Sequence, residues 1–222
     1  FIGPFLDAFD QWQQIIVFIS IASMGLGAFA AILQSNIKRL LAYSSIGHVG
    51  YALVGLAAGT EEGIKGVLIY LAIYMTMTIG AFACVLAMKR KGQMVETIDD
   101  LSGLSRTNPS MAFVFSIFMF SMAGIPPLAG FFGKFYVFMA AIKADLIGLA
   151  IIGVLASVVG AFYYIRIVKV MYFDKPKEAF DRPIGNELTF VLAVTGIITG
   201  LFFAYPDPVL DGAAIAARSL FY

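Results

Sequence analysis

Charge disappears from this chain for long stretches and returns in short clusters. The uncharged runs are Gln11–Ile37, Leu40–Thr60, Gly66–Met88, Leu146–Ile165 and Leu188–Pro206, with a further run, Thr107–Ile142, interrupted only by Lys134. About 20 apolar residues make a helix that crosses bilayer hydrocarbon, so five runs predict one crossing each. With flanking turns, the predicted spans are 11–37, 40–60, 66–88, 107–142, 146–170 and 188–206, followed by a tail, 207–222, that reads as an interfacial helix. The fourth run is too long. As a straight helix it would reach roughly 54 Å, against a hydrocarbon thickness of about 30 Å.

Residues 124–130 of that run hold Gly124, Pro126, Pro127 and Gly130. Two readings follow: a hairpin of two spans, or one span broken near 124–130. Loop charges decide between them. Lys38 and Arg39 follow the first run, Lys89, Arg90, Lys91 and Arg106 the third, and Arg166, Lys169, Lys175, Lys177 and Arg182 the fifth. Basic loops collect on the cytoplasmic side, and these three share a side only if the fourth run crosses once. The predicted fold is therefore all-α, a polytopic bundle of six transmembrane helices with the fourth discontinuous.

Composition agrees. Hydrophobic residues are 60% of the chain and charged residues 13%, where globular chains run roughly 45–50% apolar. A formal net charge of +1 says nothing about nucleic acid, and there is no basic run of the kind that binders of it show, so no nucleic-acid partner is expected. One cysteine, Cys84, excludes an internal disulfide and a paired-cysteine metal site, and one histidine, His48, excludes a histidine-rich metal cluster. No nucleophile–base–acid set, carboxylate pair or phosphate loop appears, so bond-making catalysis is not expected here. The opening residues from Phe1 read as a short amphipathic stretch in the middle of a longer protein.

Lys134 carries the sharpest chemical signal. An ammonium in mid-membrane costs several kcal/mol unless it is paired, hydrated or deprotonated. Broken helices tolerate open backbone only inside protein or beside a wet cavity, and they recur at ion sites. Lys134 about two turns after a proline break therefore reads as a proton or ion carrier rather than a packing kink. The second span adds a stripe, Ser44, His48, Tyr51 and Gly55, at i, i+4, i+7 and i+11. An imidazole with an unperturbed pKa near 6.5 suits proton exchange, and a hydroxyl stands on each side of His48 along the stripe. Packing is the competing role. Ser45, Gly47 and Gly50 read as close-packing positions. Tyr70, Tyr74 and Thr78 form a hydroxyl line on the third span, read either as water-lining or as helix contacts. Lys38 reads as a membrane-edge anchor or as a gate at the mouth of a water path.

Two segments also carry a family resemblance. Asn36-Ile37-Lys38-Arg39-Leu40-Leu41-Ala42-Tyr43-Ser44-Ser45-Ile46-Gly47-His48-Val49-Gly50-Tyr51 and Ser121-Met122-Ala123-Gly124-Ile125-Pro126-Pro127-Leu128-Ala129-Gly130-Phe131-Phe132-Gly133-Lys134-Phe135-Tyr136 resemble the signatures of the antiporter-like subunits of respiratory complex I and of multisubunit sodium/proton antiporters. The run Tyr163–Phe173 resembles the subunit N branch of bacterial NADH:quinone oxidoreductase, especially its alphaproteobacterial members, whose mitochondrial counterpart is NADH dehydrogenase subunit 2. The resemblance implies roughly fourteen spans in two inverted repeats, of which this chain would supply the last six. It places Lys134 near the exit side of a proton path and matches Lys38 to a lysine after the preceding helix motif; the residues themselves add Ser44, His48, Tyr70 and Tyr74 as relay candidates. It also implies that NADH, FMN, iron–sulfur clusters and quinone belong to other subunits, with no cofactor in this chain. Its partners would be other complex I membrane subunits, neighbouring antiporter-like subunits and the lipid of a bacterial inner membrane, or a mitochondrial one if organellar. A subunit of a cation/proton antiporter or membrane-bound hydrogenase is the transporter alternative. A structural subunit carrying no protons is the alternative of another class.

Overall fold

The computed structural model describes residues 9–221; the expected amphipathic opening lies outside them. Helices α1 (Phe9–Ile32), α2 (Ile37–Ala57) and α3 (Glu61–Leu86) are followed by a small hairpin, β1 (Lys89–Arg90) and β2 (Gln93–Met94), and a 3-10 turn, Ile98–Leu101. Then come a single helical turn α4 (Leu104–Thr107), the helices α5 (Pro109–Ala123), α6 (Ala129–Lys143), α7 (Ile147–Phe173) and α8 (Asn186–Leu201), and finally α9 (Asp207–Arg218). Among the described residues, five helices are long and apolar enough to span a membrane: α1, α2, α3, α7, and α8 with the 3-10 turn Phe202–Ala204 that continues it.

The sixth crossing is made by α5 and α6 together. Each is only 15 residues long, about 22 Å at 1.5 Å per residue. Their contacts with α3 show that they stack end to end. Going down α3, Gly80 faces the Phe118 ring, Met77 meets the Ser121 hydroxyl, Tyr70 packs on Gly133, and Gly66 lies against Tyr136 and Val137. Partners that rise steadily in number while α3 falls describe one antiparallel rod with a gap, not a hairpin.

Helix boundaries follow the caps. Asn36 accepts a hydrogen bond from the Arg39 amide at 3.1 Å, so α2 begins at Ile37 and Lys38 and Arg39 lie in its first turn rather than in the connection. The first helix stops at Ile32, short of the expected 37. Thr60 caps α3, and Asn108 with Pro109 opens α5. Helix α7 runs on to Phe173, one turn past the expected 170.

The three basic loops gather at one end. The Ile37 amide donates to the Glu96 carbonyl and the Ile98 amide to the Ser35 carbonyl, at 2.8 Å each. Arg90 pairs with Asp100 at 2.7 Å and lies over the Phe180 ring. Asp181 accepts the Lys91 and Gly92 amides at 2.9 and 2.8 Å; these two bonds hold its carboxyl below the usual carboxylate range. The segment 174–186, which joins α7 to α8, is thus bound to the hairpin. At the other end Arg218 of α9 bonds Glu61 at 3.2 Å, and α9 packs on α3.

This arrangement makes a labelling prediction. Gln93 and Lys175 are exposed at the basic end and Lys143 at the opposite one, while the native Cys84 is buried. Cysteines at 93 and 175 should react with an impermeant thiol reagent from one membrane face, and a cysteine at 143 from the other. Labelling of 93 and 175 from opposite faces would exclude the single broken span.

Candidate functional site: a lysine at the break in a helix

The break is built from the end of α5. Gly124 adopts φ 88°, a left-handed conformation that glycine takes without steric cost. Its amide donates to the Ser121 carbonyl at 2.9 Å and the Ile125 amide to the Phe120 carbonyl at 3.0 Å. This closing pattern ends a helix and satisfies two of its last four carbonyls. The carbonyls of Met122 and Ala123 are left over.

Lys134 takes both. It sits on α6, one and a half turns past Ala129, and its side chain reaches back across the break. Nζ donates to the Met122 carbonyl at 3.0 Å, the Ala123 carbonyl at 3.1 Å and the Ser157 hydroxyl of α7 at 2.7 Å. An ammonium has three donors, and all three are used. The negative end of the α5 dipole faces the cation, and the Tyr51 ring lies 4.9 Å from Nζ. Among the described residues no carboxylate takes part, so the positive charge is met by carbonyl and hydroxyl dipoles and an aromatic ring. A Cβ at Gly124 would also crowd the lysine, 3.0 Å from its Cδ and 3.2 Å from Nζ. Lys134 is only 7% exposed, and a cleft of about 330 Å³ opens beside it, lined by Phe131, Phe135, Met139, Val154 and Val158.

The start of α6 is held from the same side. The Gly130 amide donates to the Ser121 hydroxyl at 2.9 Å. Gly130, expected within the break, lies in the first turn of α6, so the interruption covers 124–128. Its role is close packing, since a Cβ there would meet the Ser121 carbonyl oxygen at 1.9 Å.

A second cluster surrounds His48. Nδ1 bonds the Tyr70 hydroxyl of α3 at 2.7 Å, and Nε2 bonds the Tyr164 hydroxyl of α7 at 2.9 Å. Tyr74 stacks on the imidazole at 4.7 Å between ring centres, and Ser44 is hydrogen-bonded to Tyr164. A neutral imidazole needs one hydroxyl to donate and one to accept; an imidazolium needs both to accept. Rotation of the hydroxyls serves either state, so the site fits a histidine that changes protonation.

The structure adds to the stripe. Ser44 and Tyr51 flank His48 along α2, while the two hydroxyls that bond its ring come from the neighbouring helices α3 and α7. Gly55 is a helix contact, with a Cβ there 2.9 Å from the Gly63 carbonyl oxygen. Gly47 and Gly50 lie against α1. Lys38 stands apart from both clusters, paired with Glu96 at 2.6 Å at the basic end. Hydrogen bonds from Lys38 and then Asn36 hold Glu96 below the ordinary carboxylate range.

Comparison with known families now bears on this geometry. Residues 1–160 match the family described as NADH:quinone oxidoreductase/Mrp antiporter, TM. The chain belongs to that family. It is 62% identical over 219 residues, 99% of its length, to NADH-quinone oxidoreductase subunit N of Paramagnetospirillum magneticum, covering 45% of that protein. It is 67% identical over 211 residues, 95% of its length, to subunit N of Azorhizobium caulinodans, covering 44%. The chain thus spans less than half the length of the curated relatives it matches. Among solved structures, it aligns with a chain of respiratory complex I from Thermus thermophilus with bound Aureothin at a TM-score of 0.76 and 31% identity, over 89% of this chain and 45% of that one. A chain of the Mrp complex from Dietzia sp. DQ12-45-1b shares the fold, with a TM-score of 0.87 at 22% identity over 97% of this chain and 48% of that one. Family membership and the apolar helices make this a multi-pass membrane protein.

Several members of the site escape a sequence reading: Ser157, Tyr164, Glu96 and the two carbonyls. A signal for the first two exists. Ser157, Gly160 and Tyr164 fall at i, i+3 and i+7 in α7, the small and polar face of an otherwise apolar helix.

Proposed function

We propose that this chain is a six-helix part of a proton-translocating, antiporter-like subunit of an NADH:quinone oxidoreductase in the bacterial inner membrane. The basic loops face the cytoplasm. Lys134 is the buried proton carrier, and His48 with Ser44, Tyr70 and Tyr74 forms a relay toward it. Lys38, ion-paired at the cytoplasmic edge, guards the mouth of the path. NADH, flavin, iron–sulfur clusters and quinone are bound by other subunits, and neighbouring membrane subunits cover the apolar outer faces.

The carrying observation is the Lys134 site itself. An ammonium held in mid-membrane by two helix-end carbonyls and a hydroxyl has no permanent counter-charge. Losing its proton frees the two carbonyls, and regaining it binds them again. The high identity to subunit N over nearly the whole chain favours complex I over a cation antiporter.

Purification from detergent-solubilised membranes tests the assignment. The full-length protein should co-purify with NADH-dependent quinone reduction. Recovery in a complex that exchanges sodium for protons and does not oxidise NADH would contradict it.

A further inference from the structure

At the basic end, the start of α5 and the first turns of α8 leave a groove of about 400 Å³ between them. Its rim is polar, with Arg182, Asn108 and Ser110. Its floor is apolar, with Met111, Val114, Leu192 and Ala193. From Asn108 to Val114 the helix rises about 9 Å, so the groove turns from polar to apolar along a membrane-crossing rod, where headgroups give way to hydrocarbon. Deeper in, the seam closes: a Cβ on Gly196 of α8 would lie 3.2 Å from Val114. Phe113 and Ile197, 62% and 60% exposed, carry the apolar surface on toward the membrane centre.

The rim has donors to spare. The Arg182 guanidinium is fixed by a bond to the Thr107 carbonyl at 2.6 Å, and among the described residues no carboxylate pairs with it. A guanidinium carries five N–H donors in a fork that matches phosphate. Asn108 is only 5% exposed. Its side-chain oxygen accepts from the Met111 amide and the Ser110 hydroxyl, while its nitrogen has only the Met111 sulfur, 3.8 Å away. An amide nitrogen has two donors and sulfur is a weak acceptor. The positive end of the α5 dipole lies here too. Arg106, exposed two residues before Asn108, adds a second cation. Of the carboxylates close in sequence, Asp181 is taken up by the Lys91 and Gly92 amides, and Glu187 does not line the groove.

We propose that this groove binds one anionic phospholipid of the cytoplasmic leaflet. Its phosphate sits on the Arg182 guanidinium and the Asn108 amide at the start of α5, and an acyl chain lies along Met111, Val114, Leu192 and Ala193. An unpaired cation beside a helix N-terminus selects a phosphate, and the apolar floor selects one that carries a hydrocarbon chain. The inference rests on the orientation of the chain in the membrane and is independent of the role of Lys134.

The test uses the full-length protein in its complex, delipidated and reconstituted with phosphatidylglycerol that carries a photoreactive diazirine in one acyl chain. A second sample receives the same probe built on phosphatidylethanolamine, whose headgroup has no net charge. After irradiation, adducts are mapped to peptides of α5 and α8 by mass spectrometry, and assembled complex is quantified alongside. Arg182→Gln removes the cation. Ala193→Phe fills the exposed floor of the groove and keeps the bond from Arg182 to Thr107. Lys175→Gln removes an exposed charge at the same end of the molecule but outside the groove.

A lost hydrogen bond to a charged group corresponds to roughly a tenfold effect. Arg182→Gln should therefore lower phosphatidylglycerol adducts in the groove about tenfold at full assembly. Ala193→Phe should lower them as well, Lys175→Gln should leave them unchanged, and the phosphatidylethanolamine probe should label weakly. Equal labelling by the two lipids, undiminished labelling in Arg182→Gln, or an equal loss in Lys175→Gln would overturn the proposal. So would an absence of adducts on these peptides in the unaltered protein. Displacement of the adducts by excess inorganic phosphate would mark a site for a soluble anion and overturn the lipid assignment. If Arg182→Gln assembles poorly, Ala193→Phe decides, and undiminished labelling there would overturn the groove as the site. The readout needs neither NADH oxidation nor proton uptake, so its failure is distinct from a failure of the proton-carrier reading.

Discussion

Lys134→Ala is expected to assemble near normal levels and to lose about a hundredfold in proton uptake, the lower end of what a positioned proton-transfer group contributes. The assembly half of this expectation comes from the cleft. Removing the ammonium leaves the Met122 and Ala123 carbonyls without a donor, and an unsatisfied buried acceptor costs about 1–3 kcal/mol. The opening of about 330 Å³ beside them leaves room for water to take the lysine's place. The loss half follows from the chemistry of the site, where no other titratable side chain bonds to the helix end. Coupled quinone reduction should slow in parallel, because electron transfer works against a blocked pump. Uptake at the normal rate with normal assembly would show that protons bypass this residue.

Gly130→Ala is expected to have the other large effect, on assembly rather than on transport. The added Cβ would stand 1.9 Å from the Ser121 carbonyl oxygen and 2.7 Å from its carbonyl carbon. Both are backbone atoms in the last turn of α5, so they cannot swing aside. To relieve the clash α6 would have to move away, which breaks the Gly130–Ser121 hydrogen bond and pulls Lys134 from the α5 carbonyls. Overpacking of this kind costs typically 1–3 kcal/mol and sometimes more, enough to reduce assembled protein several-fold. Gly148→Ala is the control: nothing lies within 4 Å of a Cβ there, and its assembly should be unchanged. Quantifying assembled complex in native gels of both variants checks the contrast. Equal assembly would mean that the junction between the half-helices is looser than its geometry.

Much of the fold was legible because lipid imposes a simple rule. A run without charge must be helical, and the basic clusters set the parity that turned Thr107–Ile142 into one broken span. The boundaries were less legible, since they depend on caps. Asn36 draws Lys38 and Arg39 into α2, although the charges suggested a loop. The hairpin at Lys89–Met94 was not foreseen, as its strands of two residues each show no alternating pattern.

The site was legible where one residue carried the signal. Lys134 stands out by charge in an apolar run, and His48 by being the only histidine. Their partners do not stand out. Two of the groups holding Lys134 are backbone carbonyls, which any residue supplies, and they are free only because Gly124 ends the helix as it does. Ser157 is an ordinary residue in an apolar helix until tertiary packing brings α7 against α6. Tyr164 was visible as half of a tyrosine pair, but the pair alone does not say which ring faces His48. Glu96 needed the loop to fold back onto α2 before it could meet Lys38.

The most direct test of Lys134 as a proton carrier is the ratio of protons taken up to quinone reduced in Lys134→Arg. Guanidinium keeps the positive charge and several donors for the α5 carbonyls, but it does not release its proton in proteins. If the residue carries protons, the arginine variant should assemble and yet show a depressed ratio and slowed coupled turnover, as the alanine variant does. If the residue is only a cation that ties two half-helices together, arginine should sustain the normal ratio at the normal rate, and that result would contradict the account.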